Sequence, residues 1–320
     1  MKRLAIVVPC YNEEAMFDYT NKHLIALLND LITKNKILGN SYILYVNDGS
    51  DDQTWELIKE AYHHSKLVFG LNLASNKGHQ NALYAGLMKA KENADVTISI
   101  DADLQDDISV IEEMIDKFNN GIDIVYGVRN DRTSDSIFKR VTAQMFYKLM
   151  SLLGAKSVYN HADFRLMSKR AIEELALYSE TYLYLRGIVP ELGFSTDKVY
   201  YARKERMAGE SKYPFKKMLV FAFNGITSFS IKPLTMILYI GMIAIFISMI
   251  AVIYSFVRYF QGETISGWAS MFVSIWFLGG VQLASIGVVG QYLGKNYIET
   301  KKRPRYFIES YLEHDTEGQA

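Results

Sequence analysis

Residues 98–106 read Ile-Ser-Ile-Asp-Ala-Asp-Leu-Gln-Asp, an apolar run that ends abruptly in acid. Such a run predicts a strand that leaves a core and carries carboxylates to the edge of a sheet. Only Ala102 separates Asp101 from Asp103, so in an extended chain their side chains lean the same way. Two carboxylates at that spacing can share one hard divalent cation, the natural partner of a diphosphate. The residues also fit a plain strand end followed by an acidic helix cap, with Asp107 capping a helix that starts near Ile108.

Working outward, short apolar runs alternate with helical stretches. Strands are expected at Leu4–Pro9, Tyr42–Asn47, Leu67–Asn72, Val96–Asp101 and Ile122–Val128. Helices are expected at Glu13–Lys34, near Asp52–His63, from about Gln80 to Glu92, and around Ile108–Phe118. This alternation predicts an α/β domain with a mostly parallel sheet and helices on both faces. In such sheets ligands bind beyond the carboxyl ends of the strands.

Those ends carry polar residues on four successive strands. They read Pro9-Cys-Tyr-Asn-Glu13, Asn47-Asp-Gly-Ser-Asp-Asp52, Asn76-Lys-Gly-His79 and Asp101-Ala-Asp-Leu-Gln105. Tyr11 could stack on a base, Glu13 and Asp48 could accept hydrogen bonds from a base or ribose, and Gly78 permits close backbone approach. Each residue also has a plain structural reading. Asn12 fits a helix cap, Asp48-Gly49 a turn, and Gly78 a loop-to-helix junction. Neither a Gly-x-x-x-x-Gly-Lys-[Ser/Thr] loop nor a Gly-x-Gly-x-x-Gly after the first strand is present, which disfavours both usual phosphate cradles.

Leu234–Phe260 is nearly all apolar with no charge before Arg258, and Trp268–Leu293 is a second uncharged stretch. Both exceed the about 20 residues that cross a bilayer's hydrocarbon core as a helix. The turn Gln261–Gly267 between them has no lysine or arginine. Lys212, Lys216, Lys217 and Lys232 precede the pair, and Lys295, Lys301, Lys302, Arg303 and Arg305 follow it. Positive-inside counting therefore expects a multi-pass protein of the cytoplasmic membrane with both chain ends in the cytoplasm. The mixture of lysines and phenylalanines in 213–231 suggests an amphipathic helix in the interface, with a soluble amphipathic helix as the rival. Gly280, Ala284, Gly287, Gly290 and Gly294 suggest close helix packing, against the first span or in a homo-oligomer. The expected division is a catalytic domain at 1–212, an interfacial segment at 213–233, a hairpin of spans at 234–293 and a basic tail at 294–320.

Lysine plus arginine and aspartate plus glutamate are each 35, so bulk charge gives no argument for a nucleic-acid partner. Cys10 is the single cysteine, which rules out an intrachain disulfide, and its position after a strand predicts a small buried residue. The start, Met1-Lys2-Arg3, runs straight into a strand, so no signal peptide is expected. Neither His79 nor His161 has zinc-ligand spacing to another His or Cys.

Val-Val-Pro-Cys-Tyr-Asn-Glu, Val-Asn-Asp-Gly-Ser-Asp-Asp and Asp-Ala-Asp-Leu-Gln-Asp, in this order, resemble family 2 glycosyltransferases, in particular the polyprenyl-phosphate sugar synthases. His161-Ala-Asp-Phe-Arg-Leu-Met167 and the basic loop Arg203–Tyr213 resemble the same branch, as do two C-terminal spans. One departure is Asn47, where many relatives carry a further aspartate. The Gln-x-x-Arg-Trp segment of processive polysaccharide synthases is absent. The resemblance implies a glycosyltransferase-A (Rossmann-like) fold and a nucleotide-sugar donor. Pro9, Tyr11, Glu13 and Asp48 would hold the nucleoside, while Asp101, Asp103 and Gln105 would hold Mg²⁺ or Mn²⁺ and the diphosphate. It also implies inverting transfer to a polyprenyl monophosphate. UDP-glucose is the expected donor, ahead of UDP-N-acetylglucosamine and GDP-mannose. The same enzyme with a different lipid or glycan acceptor, such as a diacylglycerol or a growing glycan, is one alternative. A non-catalytic nucleotide-sugar-binding membrane protein on the same fold is the alternative from another class.

A phosphomonoester has a second pKa of about 6, so such an acceptor arrives largely as a dianion and a strong general base is optional. Cationic clamps are needed instead. Arg129 and Arg140 are candidates by position, with Arg203 and Arg206 on a loop that Gly209 could hinge. Each also fits a structural or solvated ion pair. Asp163 is the candidate base or orienting residue, with a structural pair to Arg165 as the rival.

Overall fold

The computed structural model describes residues 1–130, 161–181, 183–202, 232–261 and 267–314. The chain begins β1 (Leu4–Cys10), α1 (Glu14–Thr33), β2 (Tyr42–Asn47), α2 (Thr54–His64), β3 (Val68–Leu73) and α3 (His79–Asn93). It continues with β4 (Val96–Ser99), a single 3-10 turn at Ile108–Val110, α4 (Ile111–Asn119) and β5 (Ile124–Arg129). Then come β6 (His161–Ser168), α5 (Lys169–Leu175), α6 (Leu185–Ile188) and β7 (Thr196–Tyr201). Two long helices, α7 (Lys232–Phe260) and α8 (Trp268–Thr300), precede the final strand β8 (Ile308–Leu312).

The eight strands form one sheet in the order β7-β5-β6-β4-β1-β2-β3-β8. β3, β2, β1 and β4 run parallel, as do β5 and β7, while β6 and β8 pair antiparallel with their neighbours. The expected mostly parallel α/β sheet is therefore present. Every residue of β1, β2, β3 and β4 is buried, as a sheet covered on both faces requires. α3 lies close on this sheet because residue 86 is glycine. A Cβ there would stand 2.4 Å from Val7 Cγ1 and 2.7 Å from Val46 Cγ2.

Two expectations need correction. First, β4 stops at Ser99, and Asp101 and Asp103 lie in a turn rather than an extended strand. The Leu104 amide donates to the Asp101 carbonyl and Leu104 takes a left-handed φ of 45°, so strand alternation does not align the two carboxylates. Second, the tail at 294–320 is not a separate segment. Its first residues extend α8 to Thr300, and Ile308–Leu312 becomes the edge strand beside β3. Of the two expected spans, one segment among the described residues, Phe277–Thr300, is long and apolar enough by itself to cross a membrane. Leu234–Ala244 in α7 is apolar but shorter. The residues from 213 to 231 lie outside those described.

The described residues fall into two compact units. α7, α8 and the turn to Arg303 form one, and the sheet with its helices, including the chain from Pro304 onward, forms the other. In the first unit Leu238, Ile243, Phe246, Ile250, Leu283 and Ile286 are exposed, an apolar surface that water alone does not favour.

Candidate active site

The carboxyl ends of β1, β2, β3 and β4 open on one edge of the sheet, and antiparallel β6 brings its amino end to that edge. Ser99 pairs with Arg165 across β4 and β6, which sets Asp163 alongside the turn that follows β4. The Ser99 hydroxyl locks this junction by donating to the Asp163 carbonyl.

On the β1–β3 side, Tyr11 is 42% exposed and available for stacking, whereas Pro9 and Cys10 are buried. Burial pushes the Cys10 thiol up, so it holds no reactive thiolate. Asn12 is not a helix cap. It takes a left-handed φ of 54°, its amide donates to Ser50 Oγ at 3.0 Å, and its Oδ1 accepts from the Asp51 amide at 2.9 Å. The Glu13 amide donates to Thr54 Oγ1 at 2.9 Å. Asp48 is buried, with its two oxygens accepting from the Lys77 and Gly78 amides at 2.7 and 2.9 Å. Burial pushes its pKa up against those amides. Asp48 thus fastens loop 47–52 to loop 75–78. Gly49 makes the fit possible: its φ is 62°, and a Cβ would stand 2.6 Å from the Asn76 nitrogen. Gly78, with φ at 85°, opens α3.

The turn after β4 carries Asp101, whose Oδ1 is buried without a hydrogen bond. Burial raises its pKa, His79 opposes the rise, and Asp106, Asp163 and Asp103 add to it. Asp103 Oδ1 accepts from the Gln105 amide at 3.3 Å, and Gln105 is buried. Asp107 caps the 3-10 turn by accepting from Ser109. A buried carboxylate oxygen with no hydrogen bond, set among other acids, fits a hard divalent cation with oxygen ligands. Among the described residues, no cluster of three or more His, Cys, Asp and Glu is already arranged around a metal position.

Asp163 stands at the opposite extreme. Its Oδ1 meets Arg165 Nη2 at 2.5 Å and Arg186 Nε at 3.3 Å. Its Oδ2 meets Arg186 Nη2 at 3.0 Å, Gln80 Nε2 at 3.1 Å and His79 Nε2 at 3.6 Å. Burial opposes its ionisation, but Arg186, His79 and Arg165 outweigh burial and hold the carboxyl well below the usual range. His79 also lies 3.5 Å from Asp101 Oδ1. Burial pushes its imidazole down, yet the hydrogen bond to Asp163 and the charge of Asp101 prevail and raise it to about 8. Near neutral pH the pocket floor therefore carries three cations around one saturated carboxylate.

Arg129 does not point a free guanidinium at the site. It donates to the buried Asp106 Oδ1 at 2.9 and 3.2 Å, and Tyr201 donates to the same oxygen at 2.6 Å. Arg186, about one-third exposed, is the partly open guanidinium beside Asp163. It was missed because it lies in a four-residue helix without a motif; Gln80 and Tyr201 were also passed over, and Asp106 was quoted in its motif without a role. Arg140, Arg203 and Arg206 lie outside the described residues.

Comparison with known proteins accords with this architecture. Residues 5–176 match the family model described as Glycosyl transferase family 2. A Bacillus subtilis (strain 168) protein named Uncharacterized glycosyltransferase YkoT is 54% identical over 306 residues, covering 96% of this chain and 91% of its own. The Bactoprenol glucosyl transferase of Shigella phage SfX is 40% identical over 315 residues, covering 96% of this chain and 99% of its own. Among solved structures, glucosyl-3-phosphoglycerate synthase from Mycobacterium tuberculosis shares the fold, with a TM-score of 0.51 at 16% identity. That alignment covers 71% of this chain and 79% of the other. Sheet order, strand-end site and sequence similarity agree: the chain belongs to glycosyl transferase family 2.

Proposed function

We propose that the protein transfers glucose from UDP-glucose to undecaprenyl phosphate with inversion, releasing UDP. The carrying observation is the opposition of Asp101, an acid with a buried oxygen lacking a hydrogen bond, to the cationic group of His79, Arg165 and Arg186 around Asp163. Similarity over nearly the whole length of a bactoprenol glucosyl transferase supports the lipid acceptor and the sugar.

In this reading Tyr11 stacks on the base, and Asp48 fixes Gly78 and its loop close to the nucleoside. Asp101, Asp103 and Gln105 would hold Mg²⁺ or Mn²⁺. When bound, that ion supplies charge neutralisation to the leaving diphosphate. Arg186 receives the acceptor phosphate, and Asp163 orients Arg186 and His79 rather than taking a proton. A carboxylate held this far below neutrality is a poor base, and a phosphate dianion needs none. Arg129 braces Asp106 behind the turn, while Arg140, Arg203 and Arg206 add positive charge toward the lipid. α7 and α8 anchor the enzyme as a two-span hairpin in the cytoplasmic membrane, with the catalytic residues and both chain ends in the cytoplasm. Their lengths, 29 and 33 residues, and the basic flanks support this topology. The open glycine stripe of α8 supports self-association.

The test is nucleotide release by the purified full-length protein with Mn²⁺ and a panel of nucleotide sugars, with and without undecaprenyl phosphate. Lipid-dependent release from UDP-glucose, lost in Asp103→Ala, is expected. Donor binding with no lipid-dependent release from any sugar would overturn the reading.

A further inference from the structure

The C-terminal strand reaches the donor loops through a chain of buried amides. Asn72 Nδ2 donates to Glu309 Oε2 of β8 at 2.7 Å, and Asn47 Nδ2 donates to Asn72 Oδ1 at 2.7 Å. Asn47 Oδ1 accepts from the Ser50 hydroxyl at 2.6 Å, and Ser50 Oγ accepts from the Asn12 amide. Asn47 and Asn72 are both buried, at the carboxyl ends of β2 and β3.

The direction of this chain is dictated by its members. Ser50 occupies the Asn47 oxygen, so the Asn47 amide nitrogen must face the Asn72 oxygen. The Asn72 nitrogen is then turned toward β8 and needs an acceptor there, which a glutamate supplies and an amine could not. An aspartate at 47 would have no proton to give, and two acceptors would meet at one junction. Asn47 and Glu309 are therefore a matched pair, although 262 positions separate them, 309 less 47.

We propose that Glu309, on the strand following the last long helix, is a positioning residue of the donor site, acting through Asn72 and Asn47 on the loop that carries Asp48 and on Asn12. This rests on the nucleotide-sugar reading above. The relay sets the backbone between Tyr11 and Glu13 and holds Asp48 against the Gly78 loop. Loss of register should weaken donor binding more than it slows the chemical step.

The test is a double-mutant cycle in the full-length protein, with steady-state kinetics toward UDP-glucose and undecaprenyl phosphate. Hydrogen exchange of the peptide spanning 47–53 is followed in parallel. Asn47→Asp should raise the donor KM about tenfold at little cost in kcat, and Glu309→Ala about fivefold, the worth of one or two hydrogen bonds. Glu309→Gln keeps an acceptor oxygen and should raise it less than Glu309→Ala. The combination N47D/E309Q reverses both amide bonds of the chain: the introduced glutamine donates to Asn72, and Asn72 donates to the introduced aspartate. It should restore both donor KM and exchange protection toward wild type. Should N47D alone fail to fold, recovery of folded protein in the double variant reads the same coupling. Additive effects overturn the proposal. So does restored protection when N47D leaves the donor KM unchanged, because the role is then only structural. Absence of turnover by the wild type from every nucleotide sugar would overturn the underlying reaction. That failure is distinguishable, since the exchange cycle needs no donor.

Discussion

Asp101 and Asp163 lie on neighbouring segments at one edge of the sheet and are held in opposite electrostatic states. The turn carrying Asp101 leaves a buried carboxylate oxygen without a hydrogen bond, beside three other acids. The start of β6 gives Asp163 two arginines, a histidine and a glutamine amide. Among the described residues Asp101 has only His79, 3.5 Å away, to offset burial and its acidic neighbours. Such a carboxylate costs stability, whereas a saturated one contributes it only while every partner stays. In the proposed reaction the first region would take the cation, and the second holds cations that would face the incoming anion. A reaction between a metal-bound diphosphate and a phosphate nucleophile needs both, side by side and kept from cancelling. Saturating Asp163 from the far side leaves Arg186 half-exposed with donors to spare.

The strongest way to break this contrast is Asp163→Asn. It leaves the Arg165 and Arg186 guanidinium groups uncompensated, Arg165 being fully buried, and should cost about 3–5 kcal/mol of stability. Thermal unfolding of the detergent-solubilised protein reads this as a large fall in Tm. Asp101→Asn should move Tm the opposite way when measured with chelator present, because it removes a charge that burial penalises. The same variant should lose about 10²–10³-fold in kcat, the scale for removing one group that stabilises developing charge. A fall in Tm for both variants would show that the His79 contact outweighs the burial penalty at Asp101 and would dissolve the contrast.

The two regions were not equally legible in the sequence. β1 to β5 announce themselves as apolar runs ending in polar residues, because each strand is buried on both faces and each end opens on one edge. Tyr11, Glu13, Asp48 and Gly78 follow from that rule, and the family resemblance adds Pro9. Asp163 was visible within the His161–Met167 segment, and so was a pairing with Arg165, but its contacts with Arg186, His79 and Gln80 were not. Arg186 is 23 residues downstream, 186 less 163, and only the antiparallel placement of β6 makes them neighbours. Arg129 was correctly placed at a strand end, yet its engagement by Asp106 depends on the turn that displaced Asp101 and Asp103 from the strand. β8 was read as tail because five residues after a basic stretch carry too little pattern to announce an edge strand. Charge pairing and edge pairing are non-local, whereas periodicity is local.

Arg186→Gln sharpens the contrast from the cationic side. It keeps a donor for Asp163 but removes the charge offered to the acceptor. The KM for undecaprenyl phosphate should rise about tenfold with the donor KM unchanged, consistent with loss of one charge-assisted contact. A matching rise in donor KM would move Arg186 to the diphosphate side instead.

The smallest expected effect comes from a third carboxylate, placed away from the strand-end edge. Asp123 precedes β5 and accepts from Arg170, Ser168 and Ser195. Arg170 first, against burial, and then the two hydroxyls hold its carboxyl below the usual range. Because the folded pKa is depressed, the stabilisation is complete above the ordinary aspartate value of about 4 and is lost as pH falls through the lower folded value. Wild type and Asp123→Asn should therefore differ in Tm at pH 7 and converge below about pH 4. The gap should be modest, since the Arg170 side chain is 66% exposed and water screens the pair. Asp163→Asn should keep most of its deficit over the same range, because the partly exposed Arg186 and the fully buried Arg165 together hold its carboxyl down, rather than one solvated arginine. Equal convergence of the two variants would mean that the cations around Asp163 are as well hydrated as Arg170, and that the pocket lacks the low-dielectric floor on which its contrast with Asp101 depends.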